Sequence, residues 1–165
     1  DAASRIQRSV DDLDDTIRQI RSTIFALQAG PEEEGTLRGR LRALVDAATE
    51  RLGFAPSERL DGLLDTAVPP ETGEHLLAVA QEALSNIARH ARAGEAAVTV
   101  QVGDDEVVLR VEDNGVGIPE GGRRSGLRNM RQRAEALGGS FSTAPRPGGG
   151  TILTWAVPLG TGDPA

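Results

Sequence analysis

The segment 106–112, Glu-Val-Val-Leu-Arg-Val-Glu, alternates Val107, Leu109 and Val111 with less apolar neighbours, as a strand with one buried face does. It runs directly into Asp113-Asn114-Gly115-Val116-Gly117-Ile118. A carboxylate at a strand end, followed by two glycines around one valine, suits the close approach of a flat ligand. An ionised carboxylate only accepts hydrogen bonds, so Asp113 matches an exocyclic amine such as that of adenine. Gly115 and Gly117 allow backbone to turn sharply and come near a ligand. The competing reading is a hairpin turn, because Asp, Asn and Gly are ordinary turn residues. On this stretch alone the two stand level, and the flanking segments decide.

Bulk properties narrow the classes. A chain of 165 residues with 38% apolar residues can bury one core with a helical appendage. Asp1 in place of Met leads to the expectation of a piece cut from something longer. The net charge of −7 argues against a general binder of nucleic acid or anionic membrane. Aromatics at 2% leave no stacking platform for single strands. No run is long and apolar enough to span a bilayer, and no signal-peptide pattern is present. Zero cysteines remove disulfide and thiolate chemistry and fit a cytoplasmic setting, and with two histidines they disfavour structural zinc.

Residues 4–28 carry a heptad seam. Val10, Ile17 and Ile24 fall at a positions, and Ile6, Leu13, Ile20 and Leu27 at d positions. Asp11, Asp12, Asp15, Arg18 and Arg21 occupy the other faces, so a dimer or bundle helix is expected over one lying on its own domain's core. Phe25 and Ala26 widen the apolar face near its end. Gly30-Pro31 stops the helix, and Glu32-Glu33-Glu34-Gly35 reads as a solvated linker. Thr36 is the expected N-cap of a helix over 37–52, ended by Gly53. A modest strand is expected over 58–65, weakened by Gly62, and Pro69-Pro70-Glu71 opens a helix to Ala91.

That helix carries the second constellation. Its stripe of Leu76, Ala80, Ala83, Leu84 and Ile87 is expected to pack on a sheet. Glu82, Asn86 and His90 recur every four residues along an adjacent face, with Arg89 beside His90. A carboxylate can orient or deprotonate a nucleophile, an amide oxygen can ligate a hard cation, and Arg can grip phosphate. A solvated Glu–Asn–His ladder is the plainer reading and would be preferred without Asp113 downstream. His75 has no comparable neighbours and reads as a surface or capping residue.

Beyond it, 96–102 alternates as a strand and Gly103-Asp104-Asp105 turns into the strand that delivers Asp113. Ile118 to Ser125 is glycine-rich and polar, a mobile loop by composition. Gly126-Leu127-Arg128-Asn129-Met130 starts a helix over 126–137, whose N-terminus behind Ser125 offers free N–H groups to phosphates. Arg123, Arg124 and Arg128 add positive charge, although loop arginines are usually just solvated. Strands at 140–143 and 151–157 flank a Pro/Gly-rich turn, with Trp155 read as core.

Taken together these segments resemble the catalytic domain of sensor histidine kinases. Residues 81–91, Gln-Glu-Ala-Leu-Ser-Asn-Ile-Ala-Arg-His-Ala, resemble their N-box, and Asp113 to Ile118 their first glycine box. Gly126 to Met130 resembles the second, and Gly148-Gly149-Gly150-Thr151 the glycine-rich segment before the last strand. Four motifs in this order over 71–159 form a specific signal, shared with the gyrase B, Hsp90 and MutL ATPase superfamily. The Arg89-His90-Ala91 ending and short lid resemble the subgroup that pairs with LuxR/NarL-type response regulators. The helix around Asp14 to Leu27 is similar to that of actinobacterial dormancy-survival oxygen and redox sensor kinases.

The resemblance implies an α+β fold, a two-layer α/β sandwich with helices 37–52, 71–91 and 126–137 on one face of a mixed, mainly antiparallel sheet. It implies residues 1–29 as the end of a dimerisation helix, 30–36 as linker, 37–160 as the ATP-binding domain and 161–165 as a tail. It further implies ATP and Mg2+ as cofactors. Asp113 would accept the adenine amine, with Gly115 and Gly117 shaping its pocket and Ile118, Met130 and Thr151 around the base. Asn86 would ligate Mg2+ and Glu82 would polarise the attacking group. Arg89 and His90 would lie near the phosphates, and Ser125, Gly126 and Leu127 would close over them. Implied partners are a LuxR/NarL-type response regulator and a second copy through the N-terminal helix, with no nucleic acid or membrane contact. Such kinases phosphorylate a histidine on an upstream dimerisation helix; His75 and His90 are not so placed, so this chain is expected to bind Mg-ATP without phosphorylating itself. Alternatives are an anti-sigma-factor serine kinase-like or other ATPase of the superfamily, and a module whose pocket has decayed.

Overall fold

The computed structural model describes residues 2–28, 35–118 and 125–160. The expected linker at 30–34, the loop carrying Arg123 and Arg124, and the tail at 161–165 lie outside the described residues, as do the side chains of Ile24, Phe25 and Leu27.

Helix α1 (Ala2–Gln28) forms where the heptads are. Its seam lies open: Ile6, Val10, Leu13, Ile17 and Ile20 are each 44–65% exposed. Helix α2 (Leu37–Leu52) begins where Thr36 accepts the Gly39 N–H at 3.0 Å and stops at Gly53, left-handed at φ 81°. Strand β1 (Ser57–Asp61) is shorter than the 58–65 expected. At Gly62 the backbone takes φ 96°, incompatible with an extended strand, and Leu64–Ala67 coils into the short helix α3 with Leu64 buried. Helix α4 (Pro70–Asn86) follows, with Pro70 in its first turn.

Strands β2 (Ala96–Val102), β3 (Glu106–Asp113), β4 (Ser140–Pro145) and β5 (Thr151–Pro158) complete the sheet, and helix α5 (Ser125–Ala136) lies between β3 and β4 in the chain. The sheet order is β1-β2-β3-β5-β4, with β1 parallel to β2 and every other pair antiparallel. The fold is thus the mixed, mainly antiparallel α+β arrangement expected.

Register explains the core. Leu60, Val100, Leu109, Trp155 and Phe141 are successive cross-strand partners, one row running over all five strands. Four of them are buried and Leu60 packs at the edge. Strand period puts Val107, Leu109, Val111 and Asp113 on that same face, with Arg110 and Glu112 paired at 3.0 Å on the other. Leu76, Ala80, Ala83 and Leu84 of α4 are buried in the same cluster, as are Met130 and Ala134 of α5. Helix α4 crosses β3 and β5 while α5 lies over β4 and β5. There Arg131 stands over the ring of Phe141, 5.6 Å from its centroid. The exposed Arg40–Glu74 pair ties α2 to α4, and its hydrogen bond holds the Glu74 carboxyl below the usual carboxylate range.

Leu109 is fully buried mid-row, whereas Arg110 beside it faces solvent. Leu109→Ala should therefore lower the unfolding free energy by about 2–5 kcal/mol. Arg110→Ala should change it by no more than about 1 kcal/mol. Urea titration of both variants measures the contrast.

Candidate functional site

The site is built where the C-terminal end of β3 meets the C-terminal end of α4. Asp113 follows Val111 on the helix-facing side of the sheet and is only 6% exposed. Its Oδ1 accepts the Gly115 N–H at 2.8 Å, which folds the chain back at the strand end. Its second oxygen has no partner among the described residues. A buried carboxylate with one oxygen fixed and one free is aimed, and its free oxygen suits an amine donor.

The backbone after Asp113 runs against α4's extension. The Val116 N–H donates to the Ala91 carbonyl at 2.7 Å, and Gly115 lies so close that an added Cβ would sit inside the Ala91 carbonyl. Gly115 is therefore required first by the packing of two backbones, a reason the sequence reading did not contain. On the other side of the strand, a Cβ at Gly150 would collide with the Asp113 carbonyl, and Thr151 is the cross-strand partner of Asp113. Gly117 stands near Gly150 and Thr151.

The helix expected over 71–91 does not continue as one α-helix. After Asn86 it widens into a π-turn, Ile87–Ala91, with five residues spanned by each hydrogen bond. The four-residue spacing holds within α4 from Glu82 to Asn86, both half-buried, while His90, beyond the change of helical period, and its neighbour Arg89 are exposed. The turn ends at Arg92, the one non-glycine among the described residues with positive φ, at 49°.

Helix α5 closes the other wall. A Cβ at Gly126 would run into the Glu82 carboxylate and lie 3.6 Å from Asn86 Nδ2. Ser125 is exposed at the helix start, and Leu127 packs against the core edge. The structure thus brings Glu82, Asn86 and Gly126 together, and Asp113, Gly115, Gly117 and Thr151 together, with α4 and its π-turn joining the two groups. Met130 is buried at 1% exposure as a core member, whereas Ile118 stands 46% exposed, so the two residues expected beside a base differ sharply in access. His75 contacts Arg133 on the surface at 3.1 Å, away from both groups. A cavity of about 320 Å³ opens at the same sheet end, lined by Phe54, Glu95, Glu112, Asp113 and Arg146 among others. It shares Asp113 but includes neither Glu82 nor Asn86. Asn114, for which no role was expected beyond its place between Asp113 and Gly115, accepts two long-range hydrogen bonds.

Comparison with known proteins gives the family and the fold. Residues 71–161 match the family described as histidine kinase-, DNA gyrase B-, and HSP90-like ATPase. The nitrate/nitrite sensor protein NarX of Escherichia coli (strain K12) is 38% identical over 136 residues, 81% of this chain and 22% of that protein. The nitrate/nitrite sensor protein NarQ of the same strain is 35% identical over 151 residues, 86% of this chain and 25% of that protein. The chain therefore spans a quarter or less of the length of these relatives. The histidine kinase domain of the Erythrobacter litoralis EL346 blue-light activated histidine kinase superimposes with a TM-score of 0.58. It is 27% identical and is matched over 75% of this chain and 61% of that one.

The two close-packed glycines differ in what they face. Gly115→Ala meets a backbone carbonyl that cannot move and should cost about 1–3 kcal/mol of stability. Gly126→Ala meets the end of a carboxylate side chain that can rotate away, so the fold should hold to within about 1 kcal/mol while Glu82 is displaced. Thermal unfolding of the two variants, side by side, measures the difference.

Proposed function

The chain belongs to the histidine kinase-, DNA gyrase B-, and HSP90-like ATPase family, and we propose that it is the Mg-ATP-binding catalytic portion of a two-component sensor histidine kinase. One observation carries this reading. A single helix with its π-turn is held against the Asp113 strand end at Gly115 and against the α5 start at Gly126, leaving a free carboxylate oxygen at one side and a carboxylate–amide pair at the other. A purine nucleotide with its metal presents an amine donor at one end and a cation at the other, the two chemistries these groups complement.

In this reading Asp113 accepts the exocyclic amine of adenine, with Gly117, Ile118 and Thr151 beside the base and Met130 beneath it. The amide oxygen of Asn86 ligates Mg2+, a hard cation that takes oxygen donors and completes its shell with phosphate and water. Glu82 polarises the attacking group, while Arg89 and His90, exposed on the π-turn, reach the phosphates. The N–H groups at the start of α5, at Ser125, Gly126 and Leu127, lend the positive end of the helix dipole. Phosphoryl transfer asks a protein mainly to position groups and stabilise charge, and this set does both.

Residues 1–29 act as the end of a dimerisation helix, 30–36 as linker, 37–160 as the catalytic domain and 161–165 as a tail. The open heptad seam of α1 supports pairing with a second copy. The likeness to NarX and NarQ supports a LuxR/NarL-type response regulator as phosphoryl acceptor, and the α1 sequence supports kinship with dormancy-survival sensor kinases. No helix among the described residues is long and apolar enough to cross a membrane. A cytoplasmic location belongs to the same proposal, because it follows from the use of ATP and of a response regulator. The two histidines lie on α4 and its π-turn, not on the heptad helix, so the chain binds Mg-ATP without labelling itself.

Asp113→Asn should weaken ATP binding by about 10–100-fold, the value of a charge-assisted hydrogen bond of roughly 1.5–3 kcal/mol. Calorimetric titration reads this directly, and unchanged affinity would sink the assignment. Incubation of the wild-type chain with γ-labelled ATP should leave no acid-labile label on the protein.

A further inference from the structure

We infer that Asn114 is a positioning residue that sets the metal and phosphate end of the site, acting through the segment after the π-turn and not by touching nucleotide. The inference rests on the nucleotide-binding reading above. Its Oδ1 accepts the Gly94 N–H at 2.9 Å and the Glu95 N–H at 2.8 Å, while its own N–H donates to the Glu95 carbonyl at 3.1 Å. Only residues 92–95 separate the π-turn from β2, and this one residue holds the second half of that link, Gly94 and Glu95, by three hydrogen bonds. Within the link, Arg92 keeps a left-handed φ of 49° that a non-glycine residue adopts only where its surroundings impose it. The Asn114 bonds, with Val116 N–H on the Ala91 carbonyl, supply that constraint.

The two ends of the site depend on this latch unequally. Asp113 is held by the β2 and β5 ladders, where Ala96 and Thr151 are its cross-strand partners. Asn86, Arg89 and His90 sit at or inside the π-turn, whose far end is held by the burial of Ala91, by the Val116 N–H on the Ala91 carbonyl and by the 92–95 link that Asn114 binds. Loosening the link should therefore leave the adenine contact intact and blur the metal and phosphate contacts. The latch needs an acceptor at the side chain, so a carboxylate can replace the amide and a methyl group cannot.

The test is the gain in ATP affinity on adding Mg2+, measured by calorimetry for wild type, Asn114→Ala and Asn114→Asp. Asn114→Ala is expected to lose about fivefold or more of that gain while its affinity for metal-free ATP stays near wild type, and Asn114→Asp is expected to restore it. Equal magnesium gains in all three proteins overturn the inference. So does an equal loss with and without metal, which would mark Asn114 as merely structural. A second readout uses wild type alone, in case Asn114→Ala does not fold. Hydrogen exchange at the Gly94 and Glu95 amides should slow more with Mg-ATP than with metal-free ATP, because coupling between sites is reciprocal. Identical exchange under the two conditions overturns the inference. If wild type binds no ATP under either condition, the functional reading fails and takes this inference with it. If wild type binds and Asp113→Asn does not, failure at Asn114 counts against the latch alone.

Discussion

Two backbones touching at Gly115 and Ala91 set the geometry on which everything else at the site depends. The contact brings the exit of β3 within hydrogen-bonding distance of the last π-helical carbonyl, and no side chain larger than hydrogen fits there. It ties the strand end that carries Asp113 to the π-turn that follows Asn86, although the two lie in different layers. Gly150 against the Asp113 carbonyl repeats the device at the neighbouring β5, whereas Gly126 at α5 faces the Glu82 carboxylate side chain. Three glycines thus sit where a strand end, a helix end and a helix start come into close contact. Their absence of side chains serves packing before it serves any ligand.

The electrostatics of the site follow from the same packing. Asp113 is the one buried carboxylate among the described residues, at the end of an otherwise apolar row through Leu109 and Val111. Burying a charge there is tolerable because Gly115 donates to one oxygen and the other remains reachable. A chain with net charge −7 has little general attraction for a polyanion, so affinity for a triphosphate has to come from local donors and a metal. The N–H groups at the α5 start and the Asn86 amide have the chemistry of such donors and ligands.

Much of the fold was legible because local chemistry and burial pointed the same way. Thr36 and Gly53 bracketed α2 because a hydroxyl cap and a left-handed stop are chemical necessities at helix ends. Alternation located β2 and β3 because one face of each is buried and the other is not. The strand over 58–65 was drawn too long: Leu63 and Leu64 continue an apolar pattern, but Gly62 turns the backbone and Leu63 ends 70% exposed. The π-turn after Asn86 was not legible, since its apolar residues Ile87 and Ala91 fit an α-helical stripe equally well. The widened turn ends where Val116 donates to the Ala91 carbonyl, a contact between segments far apart in sequence. The latch at Asn114 was hidden for the same reason, because its partners lie about twenty positions earlier in the chain.

The central claim is that Asp113 and Asn86 hold opposite ends of one nucleotide. The most direct measurement is a crystal structure of the chain soaked with Mg2+ and a non-hydrolysable ATP analogue. The account predicts the adenine amine about 3 Å from the free Asp113 oxygen and the metal bound by the Asn86 amide oxygen. An analogue lodged instead in the cavity between Phe54 and Arg146, with Asn86 untouched, would contradict it.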